Sequence, residues 1–118
     1  MTDQPSFRAL FRQGDMSTRL RRLALNLEII GDQFGDGLTV IGLEARIEES
    51  HWMIDCIAGF EDPDVYEELA ELRRGLDEWR SELVTIVAST QAREEARERA
   101  GSWADRLMWV SALLEATK

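Results

Sequence analysis

The sequence predicts an all-α protein, an antiparallel four-helix bundle preceded by a short N-terminal helical arm. Three observations lead there. Only two prolines occur, Pro5 and Pro63, so long stretches contain no helix breaker. Apolar residues recur three and four positions apart over most of the chain, which is the spacing of one helix face. Short alternating runs rich in β-branched residues, the mark of strands, are absent apart from Leu38 to Ile41, which reads either way. A chain of 118 residues suffices for one hydrophobic core, and we divide it into an arm, 1–14, and a single helical domain, 15–118.

The arm carries Phe7, Leu10 and Phe11 at helical spacing before Gly14-Asp15 interrupts it. Asp15 or Ser17 can cap the next helix by accepting from its free N–H groups, and that helix runs to about Phe34 with Leu20, Leu23, Leu27, Ile30 and Phe34 as its apolar stripe. Leu25 and Ile29 fall behind the stripe. After Gly35-Asp36-Gly37, a second helix from about Leu38 to Phe60 has two apolar faces. The main one is Leu38, Ile41, Ala45, Trp52, Cys56 and Phe60, and a nearly opposite one is Val40, Leu43, Ile47 and Ile54. A polar edge of Glu44, Glu48, His51 and Asp55 runs between them, which reads as the solvated side of the helix.

Asp62-Pro63 starts the third helix, since Asp caps and Pro fits the first helical position. Val65, Leu69, Leu72, Leu76, Trp79, Leu83 and Ile86 then alternate by four and three residues, a heptad seam. Two endings compete. Ser89-Thr90 can cap a fourth helix, the ending we favour because it gives helices of comparable length. Alternatively the helix continues to about Arg99 and Gly101 breaks it before a capping box at Ser102-Trp103-Ala104-Asp105. In either case Leu107, Val110 and Leu114 form the last stripe, with Trp109 and Leu113 behind it.

Charge is unevenly spread. Residues 1–27 hold five Arg against two acids, residues 28–88 hold four Arg against sixteen acids, and residues 89–118 are balanced, for a net charge of −9. An acidic middle disfavours nucleic acid and anionic membrane and favours a basic protein partner. No run of about 18 apolar residues is present, and Met1-Thr2-Asp3-Gln4-Pro5 lacks the layout of a secretory signal, so the expectation is a cytoplasmic protein without a membrane partner. Cys56 is the single cysteine and reads as a small buried hydrophobe.

Chemical patterns are few and incomplete. The Glu44, Glu48, His51, Asp55 edge is similar to the Glu-x-x-His sets by which ferritin-like bundles hold two metal ions, but those draw a second such pair from another helix and this chain has one His. Glu68-x-x-Glu71 and Glu95-x-x-Glu98 resemble the magnesium-binding pairs of helical nucleotide pyrophosphohydrolases, without the later Glu-x-x-Asp that completes the set. Arg46-Ile47-Glu48-Glu49-Ser50-His51 has the Arg-x4-His spacing of the all-helical HEPN ribonuclease toxins. That resemblance implies cleavage of an RNA phosphodiester by Arg46 and His51, although Ile47 stands where the family pattern is polar. No glycine-rich phosphate loop and no serine-nucleophile motif is present.

The expectation is therefore non-catalytic protein binding by a small acidic regulator, inhibitor or adaptor, with no cofactor, metal or catalytic residue assigned. The HEPN-like ribonuclease and a carboxylate/His metal-binding protein are the alternatives. The partner-binding surfaces expected are the acidic face Glu67, Glu68, Glu71, Asp77, Glu78 and Glu82, and the arm residues Phe7, Arg8, Phe11 and Arg12. Because the apolar faces outnumber those a four-helix bundle buries, a homodimer through Trp109 and Leu113 is also expected.

Overall fold

A computed structural model describes residues 7–36, 40–57 and 63–116. Five helices account for them: α1 Phe7–Gln13, α2 Met16–Asp36, α3 Val40–Ile57, α4 Pro63–Ala88 and α5 Thr90–Ala116. Among the described residues only Gly14, Asp15 and Ser89 lie outside a helix, and there are no strands. The molecule measures 44 × 42 × 19 Å, which makes it flat and about two helix layers thick.

The breaks follow from local chemistry. Asp15 Oδ1 accepts from Thr18 N at 2.8 Å, and the Asp15 carbonyl accepts from Arg19 N at 2.9 Å, so the first orphan donors of α2 are satisfied. Ser89 does the same for α5, its hydroxyl accepting from Ala92 N at 3.2 Å and its carbonyl from Arg93 N at 3.0 Å. The ending near Ser89 is thus the one adopted, and the alternative is overturned: α5 passes through Gly101 without a break, and Trp103 lies inside it.

The core holds the whole α2 stripe and the whole α4 seam expected from the sequence. An aromatic chain joins three helices, with ring centroids 5.1 Å apart from Phe34 to Trp79 and 4.9 Å apart from Trp79 to Trp103. Gly75 of α4 makes room for that chain. A Cβ there would lie 2.3 Å from Trp103 Cη2, so no side chain fits while the indole occupies its place.

For α3 the order of the faces is a correction. Leu43, Ile47 and Ile54 are core, joined by Met53 and Ile57, whereas Ile41 is 80% exposed and Ala45 is also exposed. Leu38 and Phe60 lie outside the described residues. Trp52 and Cys56 are half-buried, and Phe11 of α1 covers Trp52 at a centroid distance of 5.5 Å.

Candidate functional site

Three of the four residues on the polar edge of α3 pair with α4. Glu48 Oε1 meets Arg80 Nη2 at 3.0 Å, His51 Nε2 lies 3.0 Å from Asp77 Oδ1, and Asp55 Oδ1 meets Arg73 Nη1 at 2.7 Å. The His51 contact has ion-pair distance without the alignment of a hydrogen bond. Partners advance along α3 as they retreat along α4, so the two helices run antiparallel. The edge is solvated as it reads in sequence, with Glu44, Glu48 and Asp55 exposed, and in place of a ligand set it carries a ladder of charge pairs between helices. No group of three or more His, Cys, Asp or Glu is placed to hold a metal ion among the described residues.

Arg46 and His51 do not converge. Arg46 Nη1 donates to Asn26 Oδ1 of α2 at 3.4 Å, while His51 faces α4. Five helix positions are about 140° of rotation, which explains the divergence. Glu68 and Glu71 both reach Arg106 of α5, at 2.6 and 3.8 Å, so a guanidinium sits where the pyrophosphohydrolase resemblance implies magnesium.

The acidic face is divided among neighbours. Asp77 turns to α3, and Glu68, Glu71 and Glu78 turn to α5, the last through Arg99 Nη1 at 3.4 Å. Glu67 and Glu82 are exposed and make no ion pair among the described residues. The arm also departs from expectation. Phe11 is 0% exposed, packed into the core, and so is no docking residue, while Arg12 is exposed with its guanidinium 5.4 Å from the Trp52 ring centre. The side chains of Phe7 and Arg8 lie outside the described residues. Arg19 fastens the arm by donating to the carbonyls of Gly14 and Arg12 and, at 3.3 Å, to that of Cys56 at the end of α3.

What the structure joins, and the sequence left apart, is the N-terminal half of α4 and the C-terminal half of α5. Between them lies a groove of about 440 Å³. Glu67, Glu68 and Glu71 form its α4 side, and Arg106, Trp109 and Leu113 its α5 side. Trp109 is 65% exposed and Leu113 46%. Helix periodicity explains the juxtaposition: Arg106, Trp109 and Leu113 are spaced by three and four on the flank of α5 that meets α4.

Comparison of the chain with protein-family models, with curated proteins and with solved structures gave no match.

Proposed function

We propose that this chain is a cytoplasmic, non-catalytic protein-binding module of four-helix-bundle type, whose α4/α5 groove receives a basic amphipathic helix from a partner protein. The observation that carries the reading is the exposed Trp109 and Leu113 wall beside the carboxylates of Glu67, Glu68 and Glu71. An aromatic anchor surface next to like charges suits a helix with apolar residues at i, i+3, i+4 and i+7 and lysines or arginines on its flank. Three acids against the single Arg106 leave the groove with negative charge to offer.

A homodimer through Trp109 and Leu113 is the second reading, favoured by the same exposed indole. Packing groove on groove brings together two surfaces of the same net negative charge, whereas a basic partner meets Glu67, Glu68 and Glu71 with the opposite charge.

The test is titration of a synthetic leucine-lysine amphipathic helix that carries a terminal fluorophore, followed through its anisotropy. The anisotropy is expected to rise and saturate with a Kd in the micromolar range, a binding free energy of about −8 kcal/mol. Trp109→Ala, and Glu67→Lys with Glu71→Lys, should each weaken binding about tenfold or more. Glu28→Lys with Asp32→Lys changes the net charge equally on exposed positions of α2 and should weaken it far less. Equal loss in both charge-reversed pairs would show attraction to a net charge rather than a site, and would sink the proposal.

A further inference from the structure

A second groove, between α2 and α3, has the opposite character. It measures about 960 Å³, the upper end of the size of small-molecule sites. Its floor and walls are Leu25 and Ile29 of α2 and Gly42, Ala45 and Met53 of α3. Gly42 and Ala45 carry little or no side chain, which is why the helices leave a trough rather than interlock. Leu25 is 57% exposed along it.

Two cations and one acid border the trough: Arg22, Arg46 and Glu49. In a chain of net charge −9, a groove where guanidiniums outnumber carboxylates is a local reversal. Arg46 is positioned by a buried polar bridge. Asn26 Nδ2 donates to Ser50 Oγ at 2.6 Å and to the Arg46 carbonyl at 3.2 Å, and Asn26 Oδ1 accepts from the Arg46 guanidinium at 3.4 Å. At the far end, Gln33 Oε1 is buried and meets no donor among the described residues. A buried acceptor without a donor costs free energy until something donates to it.

We propose that the α2/α3 trough is a binding site for an amphipathic carboxylic acid with a hydroxyl at its distal end. Arg22 and Arg46 take the carboxylate through charge-assisted hydrogen bonds, Leu25, Ile29 and Met53 cover the alkyl body, and Gln33 Oε1 accepts from the hydroxyl. Arg22 and Gln33 are eleven residues apart on α2, about 16 Å of helix, which suits an extended chain of the length of decanoate. The site is independent of the α4/α5 groove, with which it shares no lining residue.

Calorimetry with 10-hydroxydecanoate, decanoate and 1,10-decanediol tests it. The hydroxy acid is expected to bind one per chain, decanoate several-fold more weakly, and the neutral diol about tenfold more weakly. Arg22→Gln with Arg46→Gln should remove the preference of acid over diol, Gln33→Ala the preference of hydroxy acid over decanoate, and Leu25→Glu all binding. Thermal unfolding of each variant separates loss of the site from loss of the fold. Equal binding of acid and diol, or no binding at about 1 mM, overturns the proposal. So does a concentration-dependent dimer dissolved by Leu25→Glu, since a second copy would then cover the trough.

Discussion

Helix α5 meets its two neighbours in opposite ways. Against α2 it uses small residues: Ser17 faces Ser111, their hydroxyl oxygens 2.7 Å apart, and Gly31 lies against Ala100 and the backbone of Arg97. Ala24 is seven residues from both Ser17 and Gly31, on the same face, and this register sets it level with Ala104. Against α4 it uses one large ring, Trp103 seated on Gly75, with Arg99 and Arg106 reaching across to Glu78, Glu68 and Glu71. Short side chains let the backbones of α2 and α5 approach and close the seam. A ring and long ion pairs hold α4 and α5 further apart, and the groove beside Trp109 is the consequence.

If the α4/α5 seam rests on a single ring, truncating that ring should cause the largest loss in the molecule. Trp103 contacts Trp79, fills the Gly75 notch and lies under the Arg99 guanidinium at 4.8 Å. Trp103→Ala is expected to cost about 3–5 kcal/mol, read as a lowered urea midpoint at constant slope. A loss below about 1 kcal/mol, the size of an ordinary surface change, would show that the seam has other supports.

Enlargement is the reverse experiment, and it belongs to the other seam. A Cβ on Gly31 would already sit 3.3 Å from Ala100 Cβ and 3.5 Å from the Arg97 carbonyl. Gly31→Leu therefore has to push two helix backbones apart and should cost about 1–3 kcal/mol despite the better helix propensity of Leu. Stability equal to that of the unsubstituted chain would mean that the α2/α5 approach is loose, and the contrast between the seams would fail.

The two seams also differ in how readable they are. Large residues at heptad spacing announce themselves, so the α4 line from Val65 to Ile86 and the α2 stripe from Leu20 to Phe34 are both legible and both buried. Ser17 reads as a cap, and Gly31, Ala96 and Ala100 give no hydropathy signal, because a small residue carries none until its partner helix is known. The α3 edge is half legible for a related reason: Glu48 and Asp55 are exposed as they read, but Arg80, Asp77 and Arg73, which pair with Glu48, His51 and Asp55, lie across the interface and leave no signal along α3. Of the α4/α5 groove, each wall was visible but not the pairing. Glu67, Glu68 and Glu71 and, separately, Trp109 and Leu113 stand out in the sequence, and the register of two antiparallel helices is what joins them.

The smallest effect expected concerns the ion pairs that accompany Trp103. Arg106 and Glu68 approach to 2.6 Å, yet the Arg106 side chain is half exposed, so water screens the attraction and ordering two long side chains opposes it. A double-mutant cycle with Arg106→Gln and Glu68→Gln should give a coupling of about 0.2–1 kcal/mol, smaller still in high salt. Glu71, 3.8 Å from the same guanidinium, can take over part of the contact, so Glu68→Gln alone should cost less than Arg106→Gln. A coupling of about 3 kcal/mol or more, comparable to the ring's own share, would assign the α4/α5 seam to charge as well. The groove would then owe its width to the Arg106 bridge, and Arg106→Gln would change the affinity for a basic helix by reshaping the site, beyond removing one opposing charge.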